Sequence, residues 1–239
     1  MIELVGFDGD DTLWHSEGYY QAVHADFEQL LGRWVDLSDA RVHERLLETE
    51  RRNLRLFGYG AKGMTLSMIE TAIAITGARI DAAGIRHLLE LGKGVLAHPV
   101  ELLPGIRDAV EAVARDCRVV LVTKGDLFHQ EAKVSQSGLG DLFHRIEIVS
   151  EKDDATYRRL LGEFGQPAER FAMVGNSLRS DIEPVVSLGG WGIYMPYHVT
   201  WAHERDAGID ASHGRLVQVD APAAVPAALA RLQALAAAG

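Results

Sequence analysis

The chain has 239 residues, 47% of them hydrophobic and 24% charged, with a formal net charge of −10. The length suits one large α/β domain or a domain with an inserted subdomain, and the composition is that of a soluble globular protein able to bury a sizeable core. The acidic balance speaks against non-specific nucleic-acid binding, which needs a basic footprint, but leaves anionic small molecules open because local charge governs them.

The only cysteine, Cys117, excludes an intrachain disulfide and reads as a small core residue. No basic n-region precedes the first apolar run, and no stretch of about 18 apolar residues occurs. A cytoplasmic protein that does not enter a membrane is expected.

In chain order, residues 2–7 predict a buried strand. The α/β rhythm then breaks. From 15 to about 100 no strand pattern occurs, and amphipathic segments at about 16–32, 38–56, 64–76 and 81–97 predict helices, with Ser38-Asp39 and Asp81 as N-caps. Gly58, Gly60 and Gly63 crowd one connection between them. The stretch 15–102 is read as a helical insert, and Leu103-Pro104-Gly105 as the return to a core made of 1–14 and 103–239. Apolar runs at 118–123, 145–149, 171–174 and 191–195 predict four more strands, alternating with helices at about 105–116, 126–138, 153–164 and 178–188. The Ala- and Leu-rich tail from 221 predicts a last helix. Such alternation predicts a doubly wound, mostly parallel, Rossmann-like α/β sheet.

Open α/β sheets bind ligands at the carboxyl ends of their strands. The first strand is followed by Asp8-x-Asp10-x-Thr12, the second by Thr123-Lys124-Gly125, the third by Glu151-Lys152-Asp153, the fourth by Gly175-Asn176-Ser177 and then Asp181. The fifth leads into a polar and aromatic cluster, Tyr197, His198, Trp201, His203 and Glu204. Two carboxylates spaced i, i+2 at the end of a buried strand oppose each other's ionisation, and burial adds to the cost. Such a cluster points to a compensating cation or a reacting group.

With these motifs the sequence resembles the haloacid dehalogenase (HAD) superfamily of hydrolases. Four motifs stand in order across the non-insert part, and the insert matches a C1-type helical cap in position. The resemblance implies a phosphatase. Asp8 is then the nucleophile that forms an aspartyl-phosphate. Asp10 is the acid for the leaving oxygen and then the base for water, which asks for a raised pKa. Thr123 and the amides of Lys124 and Gly125 hold phosphoryl oxygens, with Thr12 also beside the substrate, and Lys152 bridges nucleophile and phosphate. Asp8, the Asp10 carbonyl, Asn176 and Asp181 offer oxygen ligands suited to Mg²⁺. In C1-capped relatives a cap loop reaches the substrate, which here puts Tyr59 and Lys62 forward.

Two positions depart from the family pattern. Asp11 stands where a glycine is usual and is expected to face away and cap the next turn. Asn176 stands where an aspartate is common, which predicts a weaker Mg²⁺ site. Ser177 and Arg179 are expected to shape the turn, and Arg51, Arg52 and Arg55 to form a solvated helix face. Other readings are a 2-haloacid dehalogenase, which needs no metal and lacks the second Asp, a phosphomutase, a phosphonatase, and a degenerate member that binds only phosphate or a protein. The partner expected is a small phosphate ester, handled by a monomer or homodimer.

Overall fold

The structure, a computed structural model, describes residues 1–198 and 207–238. Trp201, His203 and Glu204 therefore lie outside the described residues. The chain divides into two compact units, one of residues 1–17, 100–124 and 130–239, the other of 18–99 with 125–129.

The second unit carries α1 (Glu17–Leu31), α2 (Leu37–Ala40), α3 (Val42–Phe57), α4 (Ala61–Thr76) and α5 (Ala82–Ala97). Their apolar stripes close a core that includes Phe27, Leu31, Leu46, Met68 and Leu88. Asp81 caps α5 as expected, its carboxylate accepting from Gly84 N at 2.7 Å. The helix expected over 38–56 is instead two. Asp36, not Ser38 or Asp39, caps α2 by accepting from Ser38 N at 2.9 Å, and Arg41 at φ 46° separates α2 from α3. A residue with positive φ leaves the right-handed helical region, so no helix runs through it. Arg51, Arg52 and Arg55 are exposed on α3, with Arg52 paired to Glu70 at 2.6 Å.

The first unit is an α/β sheet. Its strands are β1 (Leu4–Phe7), β2 (Arg118–Lys124), β3 (Arg145–Val149), β4 (Phe171–Gly175), β5 (Trp191–Tyr194) and β6 (Leu216–Gln218), in the order β3-β2-β1-β4-β5-β6. Every pairing is parallel. β6 was not expected from the sequence. The helices of this unit are α6 (Ile106–Ala114), α7 (Leu127–Ser137), α8 (Asp154–Phe164), α9 (Glu183–Ser187) and α10 (Val225–Ala238). The helix expected over 178–188 is a wide turn, Leu178–Ile182, followed by the short α9.

Alternate residues of the central strands feed two cores, as the period-2 pleat requires. Val5, Phe7, Val119, Leu121 and Val174 pack with Ile106, Val110, Leu229 and Leu232. Leu4, Val120, Val122 and Met173 pack with Tyr157, Leu160 and Val185. Each fully buried side chain of this size contributes roughly 1.5–3 kcal/mol, so the sheet is a firm base for its strand ends. Cys117 is buried and free, as the sequence reading expected.

Candidate active site

The strand order reverses beside β1, whose neighbours are β2 and β4. That reversal opens a crevice beyond the carboxyl ends of the strands. Phe7 is in register with Leu121 on one side and Val174 on the other, and Asp8 N donates to Val174 O at 2.9 Å. Continued by one residue, the register sets Asp8 level with Val122 and Gly175, so Thr123 and Asn176 follow just beyond it at the strand ends. The chain then turns tightly, with Leu13 N donating to Gly9 O at 2.7 Å and Asp11 at φ 61°. Asp tolerates the left-handed region better than most residues, which is how it replaces glycine here.

The floor of the site is a buried triad of charges. Lys152 Nζ donates to Asp8 Oδ1 in a short bond and to Asp181 Oδ1 at 2.7 Å. Burial, then the Asp181 carboxylate, pushes the Asp8 carboxyl up to about 7 against the pull of Lys152. For Lys152, burial works against the charged form, but Asp181 and Asp8 outweigh it and hold the ammonium well above its ordinary range. Asp181 Oδ2 also accepts from Ser177 N at 3.0 Å. Both its oxygens are thus engaged, and it faces Lys152. A Cβ on Gly175 would lie 2.2 Å from that oxygen, so glycine is required there. Ser177 shapes the turn as expected, its side chain accepting from Ser180 N at 3.0 Å.

The flank of the site is organised around Asp10. Its Oδ1 accepts from Trp14 Nε1 at 2.6 Å and Lys133 Nζ at 2.7 Å, and its Oδ2 accepts from Gln130 Nε2 at 2.9 Å. Burial alone would raise this carboxyl, but Lys133 and the bonds from Trp14 and Gln130 prevail and hold it below the usual carboxylate range. The raised value expected for Asp10 is therefore corrected, because three donors favour its charged form. Asp11 turns to the start of α1, where it accepts from Ser16 N at 2.8 Å and Glu17 N at 3.1 Å. Burial, then neighbouring Asp10, pushes its carboxyl up to about 7.

Asn176 closes the site. Its amide faces Asp8 Oδ2 at 3.1 Å, the Asp10 carbonyl oxygen at 3.2 Å and Thr12 Oγ1 at 3.2 Å. Turned nitrogen-inward, it donates to all three. Turned oxygen-inward, it accepts from Thr12 at 3.2 Å and completes a cluster of oxygens with Asp8 and Asp10 that has no proton between them. Thr12 Oγ1 also donates to Asp8 Oδ2 at 3.3 Å. Thr123 Oγ1 is buried without a partner among the described residues, and a buried hydroxyl left so is costly unless something else fills it.

A family model for haloacid dehalogenase-like hydrolases matches residues 2–189. A solved haloacid dehalogenase-like family hydrolase from Xanthomonas campestris is 57% identical, with 100% of this chain and 99% of that one covered and a TM-score of 0.91. The chain belongs to the haloacid dehalogenase-like hydrolase family. Two more distant HAD structures share the fold. One, described as a predicted phosphoglycolate phosphatase from Haemophilus somnus, is 17% identical over 95% of this chain and 98% of that one, TM-score 0.60. The other, L-2-haloacid dehalogenase from Xanthobacter autotrophicus with chloropropionic acid covalently bound, is 13% identical over 96% and 99%, TM-score 0.65. No curated protein matches the chain.

Within this HAD hydrolase the remaining candidates are placed as follows. Lys124 Nζ donates to Ser180 Oγ at 2.9 Å and lies 3.4 Å from Glu151. Gly125 has φ 146°, a conformation that L side chains rarely adopt. Inside the helical unit, Lys62 Nζ pairs with both Asp126 oxygens at 2.9 and 3.0 Å and stands over the Phe128 ring, while Tyr59 is half-buried. Tyr197 OH hydrogen-bonds His15 Nδ1 at 2.6 Å, and its ring lies 4.1 Å from that of His198. The sequence reading missed Trp14, Gln130 and Lys133. Their one signal was a Gln and a Lys three apart on the helix after the second motif, which is also the spacing of a solvated face.

Proposed function

We propose that this HAD hydrolase is a Mg²⁺-dependent phosphatase that cleaves a small phosphorylated metabolite through an aspartyl-phosphate on Asp8. The charge deficit where Asp8 and Asp181 share Lys152 carries the reading, with the Asp10 carbonyl and Asn176 beside it. Asn176 stands 3.1 Å from Asp8 Oδ2 and 3.2 Å from the Asp10 carbonyl oxygen, contacts that are hydrogen bonds with its nitrogen inward and would leave its oxygen to a cation when turned the other way. Among the described residues no group of three His, Cys, Asp or Glu side chains offers a metal site. A carboxylate, a carbonyl and an amide still suit Mg²⁺, which keeps several waters and takes few protein ligands. Asp8 and Asp181 share one lysine, so the floor retains an excess negative charge that a cation would offset.

Bound there, Mg²⁺ would supply positive charge opposite the phosphoryl oxygens. Asp8 attacks phosphorus as the ester P–O bond breaks. Lys152 and the hydroxyl of Thr123 hold phosphoryl oxygens, and Asp10, once it has taken up a proton from solvent, passes that proton to the leaving oxygen and returns to the charged form. Water then attacks the aspartyl-phosphate and gives its proton to Asp10, releasing phosphate and restoring Asp8. The charged Asp10 described above is the form needed for this second half, in which it takes a proton.

A 2-haloacid dehalogenase is the second reading, favoured by the engagement of Asp10 with three donors, which leaves Asp8 as the carboxylate available for attack. Hydrolysis of p-nitrophenyl phosphate separates the two. Turnover that needs Mg²⁺ and falls by on the order of 10³ or more in Asp8→Asn supports the phosphatase. Metal-free release of chloride from 2-chloropropionate with no phosphatase turnover overturns it.

A further inference from the structure

We infer that Lys133 and Gln130 are positioning residues for Asp10, a clamp that fixes the acid–base carboxylate against the ends of β1 and β2; the inference rests on the phosphatase reading. The two lie three apart on α7 and so share a face. Both are buried, at 7% and 3% exposure, in a family of side chains that usually reach water. Each makes a bond to Asp10 and a second bond to a different anchor. Lys133 Nζ also donates to Ser16 Oγ at 3.3 Å, and Gln130 Nε2 also donates to the carbonyl of Lys124 at 3.2 Å.

That second anchor of Gln130 is the last residue of β2, next to Thr123. The Asp10 carboxylate is thereby referenced to the strand whose hydroxyl holds the phosphoryl group. Trp14 Nε1 completes the grip from the turn itself. The carboxylate oxygens accept three bonds in all, which restricts Asp10 to one rotamer.

A further observation separates this from ordinary packing. Gln130 Oε1 is buried and has no partner among the described residues. A residue kept for core structure alone would satisfy both ends of its amide or carry none. Gln130 leaves its acceptor unmet to keep its donor on Asp10, the pattern expected where position of the carboxylate is what is maintained.

Steady-state kinetics test the clamp with wild type, Lys133→Met, Gln130→Leu, Asp10→Asn and the two double variants. The substrates are p-nitrophenyl phosphate, whose leaving group departs without a proton, and glycerol 2-phosphate, whose leaving group needs one. Positioning of an acid predicts a kcat loss of about 10- to 100-fold on glycerol 2-phosphate, a smaller loss on the aryl ester, and KM within about twofold. Lys133→Arg recovers part of the loss. Added to Asp10→Asn, neither clamp substitution lowers kcat further. Equal losses on the two esters, or multiplying losses in the double variants, overturn the inference.

A readout without turnover keeps the two proposals apart. The Trp14 indole N–H resonance reports its bond to Asp10. It shifts in Lys133→Met and Gln130→Leu, and these substitutions leave it unmoved once Asp10 is Asn. If wild type hydrolyses no phosphate ester, the phosphatase reading fails while the resonance still decides the clamp. An indole resonance blind to both substitutions removes it.

Discussion

The floor and the flank of this site each hold a buried lysine, and the two lysines do opposite things. On the floor, Lys152 is divided between Asp8 and Asp181. One positive charge faces two negative ones, and the surplus appears as the raised carboxyl of Asp8. On the flank, Lys133 serves Asp10 together with two neutral donors, and the carboxyl falls below its ordinary range. Two aspartates two residues apart thus reach opposite states through the number of donors each one owns. The floor is short of positive charge and the flank is not, and that deficit is what the proposed cation would offset.

Removing the shared lysine is the strongest way to break this contrast. Lys152→Met leaves Asp8 and Asp181 buried and uncompensated, and loss of one partner from a buried ion pair costs about 3–5 kcal/mol. Denaturant unfolding at pH 8 is expected to show that loss, with part of it recovered near pH 5 as the Asp8 carboxyl takes up a proton. An unchanged midpoint would mean that the floor is not short of charge.

Asn176→Asp sharpens the contrast by deepening the deficit. A third carboxylate at the oxygen cluster is expected to tighten Mg²⁺ binding by about tenfold, roughly 1.4 kcal/mol, as read by calorimetry. Affinity equal to or weaker than wild type would remove Asn176 from the metal's ligands.

The smallest effect belongs to Asp11. Its carboxyl titrates at about 7 in the fold against an ordinary value of 3.8. The native state therefore holds the extra proton between those values, and stability from this group falls as pH rises through that window. Asp11→Asn removes the titration but also one acceptor for the Ser16 and Glu17 amides. At pH 8 Asp11→Asn is expected to stabilise, because the penalty of ionising this carboxyl outweighs about 1 kcal/mol for a lost hydrogen bond, and near pH 4, where that penalty is absent, the same substitution is expected to cost about 1 kcal/mol. Melting curves at the two pH values check it, and a gain that is the same at both would refute the titration of Asp11.

What the sequence made legible follows from where each signal is stored. β1, β2 and β4 are continuous apolar runs because both faces of a parallel strand are buried, and the residues after them are readable once the strands are. β6 is three residues long and carried too little pattern to be seen. The turn geometry of Asp11 was within reach, since it depends on residues next to it. The state of Asp10 was not. Its donors include Gln130 and Lys133, more than a hundred residues away in sequence, brought to it by the packing of α7. A polar pair at helical spacing reads as a wet surface until the tertiary fold shows what covers it. The same limit applied to α2, where Asp36 and the positive φ of Arg41 overrode the apparent cap at Ser38-Asp39.

Because β1 is bonded along both flanks and Asp8 N continues the ladder into β4, the backbone at Asp8 has no frayed side from which to open. Amide hydrogen exchange across residues 4–8 is expected to be among the slowest in the chain, proceeding only through global unfolding. The peptide that carries Asp8, the proposed nucleophile, would then survive every local opening that substrate entry or product exit demands.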